Sequence, residues 1–225
     1  MNKKAISYMY DGQKLSNLYM DNVTKFKEFM NLINEKHIKG SLTIIPYFEG
    51  KVKEDSGITG CIVGNGKHFT CHTFCYKGNV YIDCFNILPV NYEELEKEVK
   101  NHYSADNYNE YFINESNKIS FNKQNKFGKH LILKTNNDIE IEIAKTIINK
   151  LLIKINMTPI HDLIINKHDL GYDLLQIIAE SHISCHKKNN LIYFDIFSCN
   201  DFSTKDVQEI FKSYEYNLTE VIRKK

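Results

Sequence analysis

The sequence lacks an excess of charge of either sign. Its 225 residues include 29 Lys and Arg against 28 Asp and Glu, which gives a formal net charge of +1 at pH 7. Such a chain has no overall field that would attract nucleic acid or an anionic membrane surface. A polyanionic partner is therefore not expected.

Long hydrophobic runs and a dense set of cysteines are also missing. No run approaches the roughly 18 apolar residues that a membrane-spanning helix needs, and Asp11 comes before any signal-like apolar stretch can form. The six cysteines are too sparse for a disulfide scaffold; they are Cys61, Cys71, Cys75, Cys84, Cys185 and Cys199. These absences predict a cytoplasmic protein whose cysteines are thiols.

What the sequence does contain is typical of a folded protein. Hydrophobic residues make up 42% of the chain and charged residues 25%, which lies outside the range of disordered proteins. A chain of this length forms one large domain or two small ones.

An internal repeat is the most informative feature. The segment His68-Phe-Thr-Cys-His72 matches His182-Ile-Ser-Cys-His186, and Gly57 matches Gly171 at the same offset. Farther on, Asp83-Cys-Phe85 matches Asp195-Ile-Phe197 after a short deletion. The chain therefore consists of two copies of one unit.

The repeat predicts a first copy over residues 1–103, a polar, Asn-rich linker over 104–127 and a second copy over 128–225. Apolar spacing predicts helices near 22–36, 91–103, 138–154 and 204–219, with strand-like runs between them. Short connections between the strands favour antiparallel pairing. The expected fold class is α+β: two tandem repeats, each a mostly antiparallel sheet flanked by helices, packed as a pseudo-dimer like an αββα sandwich.

A concentration of Cys and His in the first copy raises the question of a zinc site. Structural zinc sites have four ligands in regular pairs. The spacings here are irregular, and half of the set is lost in the second copy; the residues are His68, Cys71, His72, Cys75 and Cys84. No metal is expected.

The second copy carries a more specific pattern. The stretch Glu180-Ser181-His182-Ile-Ser-Cys-His186, followed by a strand that ends at Cys199-Asn-Asp201, resembles the S-adenosylmethionine decarboxylase family. Bacterial members have ESHxSxH followed by a DxFTCGD-like strand. The resemblance implies autocatalytic cleavage between Glu180 and Ser181, with Ser181 becoming a pyruvoyl group. That group would form a Schiff base with the substrate and accept electrons during decarboxylation.

The resemblance also implies that the two copies contribute different catalytic residues. Cys199 occupies the place of the acid that returns a proton to the substrate. The segment Gly57-Ile-Thr59-Gly60 matches the family's G-x-S-G, so Thr59 and His72 would be the processing hydroxyl and base. Lys67 stands at the serine position of the first copy, so only the second copy can cleave itself. His186 is the alternative base.

Substrate identity is the weakest part of the resemblance. The family's HTWPE reads His72-Thr-Phe-Cys-Tyr76 here, so the ribose-binding Glu is missing, and Phe48, Phe74 and Tyr76 are the candidate substrate-binding residues. The expected function is S-adenosylmethionine decarboxylation for spermidine synthesis. The alternatives are the same chemistry on ornithine or arginine, and a non-cleaving pseudoenzyme that binds a metabolite or regulates a partner. A homo-oligomer is compatible with each of these functions.

Overall fold

The structure is a computed structural model that describes residues 4–15, 20–48, 53–114, 126–179 and 181–224. The chain divides into two units, Met1–Asn114 and Glu115–Lys225. Within the described residues, no helix has both the length and the apolar character needed to cross a membrane.

The first unit is an antiparallel sheet with two α-helices. Its elements are β1 (Lys4–Gln13), α1 (Val23–Ile33), β2 (Ser41–Phe48), β3 (Gly57–Gly64), β4 (Lys67–Phe74), β5 (Asn79–Asn91), α2 (Glu93–His102) and β6 (Asn107–Ile113). The strand order across the sheet is β2-β3-β4-β5-β1-β6. Helix α1 begins where Asn22 accepts a hydrogen bond from the Lys25 backbone N–H, a common N-cap arrangement.

The second unit repeats this arrangement element by element. Its elements are β7 (Lys126–Thr135), α3 (Ile141–Lys154), β8 (Ile164–His168), β9 (Gly171–Ile178), β10 (Ser181–Lys188), β11 (Leu191–Ser198), α4 (Thr204–Ile210) and β12 (Tyr216–Lys224). The order β12-β7-β11-β10-β9-β8 is that of the first unit read from the other edge. The predicted α+β class, with two tandem antiparallel units, is confirmed.

Two sequence-based expectations were wrong locally. Residues 107–113 of the expected linker form strand β6, which pairs with β1; residues 115–125 lie outside the described part of the chain. The helix expected over 204–219 ends at Ile210, and Tyr216–Lys224 forms β12 against β7. In both cases the pairing partner is distant in sequence, so a local pattern does not reveal it.

Strand alternation separates an apolar face from a polar face in the second sheet. On β10, Ile183 and Cys185 join the apolar cluster that includes Ile147, Ile148 and Leu151 of α3. Alternate residues of a strand point to opposite faces, so His182, Ser184 and His186 lie on the other face, and all three are fully buried. The groups capable of chemistry therefore sit on a desolvated face.

Candidate active site

Ser181 begins strand β10 in a strained conformation. It pairs with Ile178 of β9 on one side and with Ser198 of β11 on the other, and it is only 3% exposed. Its φ of +149° is rare for any residue with a Cβ and costs on the order of 1–3 kcal/mol. The predicted partner in the scissile bond, Glu180, lies outside the described residues.

The equivalent position in the first unit is Lys67, which has no hydroxyl that could attack the preceding peptide bond. Lys67 begins β4 after a two-residue turn in which Asn65 and Gly66 have φ values of +55° and +77°. These values suit the tight turn of a hairpin. The Lys67 ammonium donates a hydrogen bond to the His37 carbonyl at 3.2 Å.

Cys199 lies at the same end of the hairpin as Ser181. It follows β11 directly, one residue beyond Ser198, the cross-strand partner of Ser181, and it is partly exposed. Gly128 of β7 approaches so closely that an added Cβ would lie 2.7 Å from the Ser198 carbonyl oxygen. The second unit therefore brings the predicted cleavage serine and the predicted proton donor to one sheet end.

In the first unit, Thr59 and His72 form a buried pair on neighbouring strands. They are directly opposite in the β3–β4 ladder, and the Thr59 hydroxyl is hydrogen-bonded to His72 Nδ1 at 2.9 Å. Both are at most 3% exposed. Gly60 of the same motif is required for packing, because a Cβ there would lie 2.7 Å from the Phe26 ring.

The second unit has a carboxylate–imidazole hydrogen bond at the equivalent position. Asp173 Oδ1 lies 2.8 Å from His186 Nδ1, and Asn166 donates a hydrogen bond to the other carboxylate oxygen at 3.0 Å. Burial opposes the charge of Asp173, but His186 and Asn166 outweigh it and hold the pKa of the carboxyl below its usual value. His186 is thus held by a carboxylate, whereas His72 is held by a hydroxyl.

The three predicted substrate-binding residues are in different environments. Phe48 and Phe74 are buried and in edge-to-face contact, with ring centroids 6.1 Å apart. Tyr76 is 56% exposed, with the Lys53 ammonium 4.8 Å above its ring. Tyr76 lines a cavity of about 300 Å³; the other lining residues are Asp21, Pro46, Tyr47, Ser56, Gly57, Ile58 and Cys75.

Sequence reasoning missed a buried polar cluster beside Ser181. The Ser181 hydroxyl lies 3.2 Å from His182 Nδ1, and His182 Nε2 lies 3.9 Å from Asp195 Oδ1. The same carboxylate oxygen is hydrogen-bonded to His130 Nε2. Retention of both a His and an Asp in the two copies, as His68 with Asp83 and His182 with Asp195, was the signal that could have identified this cluster.

Comparison with known proteins finds a family that part of the chain resembles. Residues 136–224 match the model of the S-adenosylmethionine decarboxylase family. That segment, which lies within the second unit, is similar to this family. S-adenosylmethionine decarboxylases are carboxy-lyases of polyamine biosynthesis and typically carry a pyruvoyl group. The matched segment of this decarboxylase family includes Ser181, His186 and Cys199, whereas Thr59 and His72 lie outside it.

Two solved structures are similar to parts or all of the chain. The adenosylmethionine decarboxylase from Aquifex aeolicus has 16% sequence identity and a TM-score of 0.38, over 45% of this chain and 93% of that chain. A protein named as a glycine cleavage system transcriptional repressor has 8% identity and a TM-score of 0.26, over 96% of each chain. A sequence comparison with curated proteins gave no match.

Proposed function

We propose that this chain cleaves itself between Glu180 and Ser181 and that the cleaved protein decarboxylates S-adenosylmethionine for spermidine synthesis. The observation that carries the proposal is the positive φ of Ser181, a buried serine at the position where the family motif cuts. Strained backbone is retained where a function requires it. The strained backbone of Ser181 would be free to relax once the peptide bond before it is broken.

The chemistry of cleavage uses groups of the chain alone. The Ser181 hydroxyl attacks the preceding carbonyl, and the peptide rearranges to an ester. A base then removes the Ser181 α-proton, so that the ester is eliminated as a carboxylate and dehydroalanine remains. The dehydroalanine tautomerises to an imine, which water hydrolyses to the pyruvoyl ketone with release of ammonia. We assign His72 as that base and Thr59 as the hydroxyl that orients it, because their 2.9 Å hydrogen bond fixes the imidazole.

The residues around Ser181 fit the prosthetic group that this route produces. Ser181 is buried, so a ketone formed there would be shielded from water, and Cys199 stands next to its cross-strand partner. A pyruvoyl group supplies an electron sink for the loss of CO₂. Cys199 is assigned as the acid that returns a proton to the substrate.

The intact mass of the denatured protein tests the proposal. Wild-type protein should give two fragments, residues 1–180 and 181–225, with the shorter one blocked at its amino terminus. Ser181→Ala should remain one chain, because it has no nucleophile. Ser184→Ala, which removes a buried hydroxyl from the same strand, is the matched control and should cleave. Wild-type protein that stays whole for days would contradict the proposal and favour a non-cleaving pseudoenzyme.

A second candidate substrate is a basic amino acid, ornithine or arginine. The family's ribose-binding Glu is replaced by Tyr76, which is exposed and carries no charge to bind a ribose. Ornithine and arginine contain no ribose, so the absence of the ribose-binding Glu would not weaken their binding.

A further inference from the structure

The cluster beside Ser181 has the order of groups that activates a serine nucleophile. Ser181 Oγ, the His182 imidazole and the Asp195 carboxylate follow one another at 3.2 Å and 3.9 Å. In such an arrangement the imidazole accepts the hydroxyl proton, while the carboxylate orients the ring and stabilises the imidazolium. Here Nδ1 faces the hydroxyl and Nε2 faces the carboxylate, so each group is addressed by a different ring nitrogen.

The backbone of Ser181 explains how neighbouring residues can make this contact. Side chains of adjacent residues on a regular strand point to opposite faces. The φ of +149° at Ser181 departs from regular strand geometry, and the Ser181 hydroxyl lies within hydrogen-bond distance of the His182 ring. The strained residue and the contact therefore belong to one local arrangement.

Packing holds the distal end of the cluster. His130 on β7 is hydrogen-bonded to Asp195, and its ring stacks on Phe197 with centroids 5.5 Å apart. His130, His182 and Asp195 are all fully buried. Electrostatic interactions between buried groups are stronger than those in water, so the carboxylate can act on His182 across 3.9 Å.

We propose that His182 is the base of the first step of self-cleavage, with Asp195 and His130 as positioning residues. This inference rests on the proposed function. His182 Nδ1 takes the Ser181 hydroxyl proton as Oγ bonds to the preceding carbonyl carbon. The bond from that carbon to the Ser181 nitrogen then breaks, and the imidazolium gives its proton to the departing nitrogen. The products are an ester and a free amine, with no atom gained or lost.

The division of steps gives a sharp test, because an ester is cut by hydroxylamine and an amide is not. Newly synthesised wild type, His182→Gln, Asp195→Asn and Tyr193→Phe are followed by intact mass, with and without hydroxylamine. We expect His182→Gln to slow cleavage at least about 100-fold and to give no fragments with hydroxylamine, since the peptide stays an amide. Asp195→Asn should slow cleavage less, roughly 10-fold, because its carboxylate acts on the His182 ring across 3.9 Å; a tenfold change corresponds to about 1.4 kcal/mol of the barrier. It should also give no ester.

The control removes a different polar group from the same buried face. Tyr193 lies two residues before Asp195 on β11 and is buried, so Tyr193→Phe should cleave at the wild-type rate within about twofold. If His182→Gln fails to fold, as judged by circular dichroism, the Asp195→Asn result decides.

Two results would overturn the inference while leaving the proposed function intact. One is cleavage of a folded His182→Gln protein, or of Asp195→Asn when that variant decides, within threefold of wild type. The other is accumulation of a hydroxylamine-sensitive ester in either variant, which would place its role after the acyl shift. Failure of the wild type to cleave would overturn the proposed function itself.

Discussion

At the scale of single residues, Cys199 offers a test that distinguishes the proposed self-cleavage from the proposed decarboxylation. The thiol is assigned a role only after CO₂ has left the substrate, so Cys199→Ala should fold and cleave but lose turnover by about 100-fold or more. The measurements are intact mass for cleavage and release of labelled CO₂ for turnover. Cys185→Ala, a buried thiol on β10 that joins the apolar cluster, is the control for loss of a cysteine. Turnover of Cys199→Ala within a few-fold of wild type would reject the assignment.

Asp173 makes a prediction about stability in acid. Its folded-state pKa is lowered, so its ionised form stabilises the fold above the ordinary carboxyl pKa, and this contribution is lost as pH falls through the lowered value. At pH 7, Asp173→Asn should reduce the free energy of unfolding by about 1.5–3 kcal/mol. The difference from wild type should shrink as the pH falls below about 4.

Urea titrations at several pH values measure this difference. Asp162→Asn, at an exposed position of the same unit, is the control and should change little at any pH. A stability difference for Asp173→Asn that stays constant down to strongly acidic pH would contradict a stabilising role of the ionised Asp173 carboxylate.

At the scale of secondary-structure elements, the two hydrogen-bonded strand pairs allow a matched comparison. His72 pairs with Thr59 across β3–β4, and His186 pairs with Asp173 across β9–β10. We expect His72→Gln to stall as an ester that hydroxylamine releases, because the α-proton is not removed. His186→Gln, which keeps an N–H donor for Asp173, should cleave nearly normally. Intact mass distinguishes the two, and the reverse pattern would assign the base to the second unit.

The sequence predicted some of the strands and contacts of the structure but not others. The strands around Thr59, His72 and Ser181 were predictable because the repeat and the short connections are local signals. Strand β12 was not, because Thr204–Ile210 begins with the N-cap Ser203 and looks like the start of a longer helix. The contact of His182 with Asp195 was missed because it depends on the register of β10 against β11 and on the backbone of Ser181.

At the scale of the whole molecule, the absence of the family's ribose-binding Glu bears on the choice of substrate. An adenosyl substrate without the ribose-binding carboxylate forfeits charge-assisted hydrogen bonds worth about 1.5–3 kcal/mol each, which weakens binding roughly 10- to 100-fold. We still expect S-adenosylmethionine to be turned over, because the family resemblance outweighs this loss. Release of CO₂ from carboxyl-labelled S-adenosylmethionine, ornithine and arginine by fully cleaved protein measures the choice. Turnover of an amino acid alone would change the substrate and leave the self-cleavage mechanism standing.

If the chain is cut before Ser181 as proposed, the strand order of the second sheet decides how the two fragments are held together. After a cut before Ser181, strands β10, β11 and β12 belong to the short fragment, while β7, β8 and β9 stay with the long one. In the order β12-β7-β11-β10-β9-β8, β7 of the long fragment pairs on one side with β12 and on the other with β11, both of the short fragment. Three strand pairs join the two fragments: β12–β7, β7–β11 and β10–β9. The fragments can separate only if the backbone hydrogen bonds of all three pairs break. Folding before the cut is a unimolecular event, but reassembly afterwards is bimolecular and fails on dilution. Unfolding of the cleaved protein is therefore expected to be irreversible on dilution, whereas the uncut chain can refold by itself.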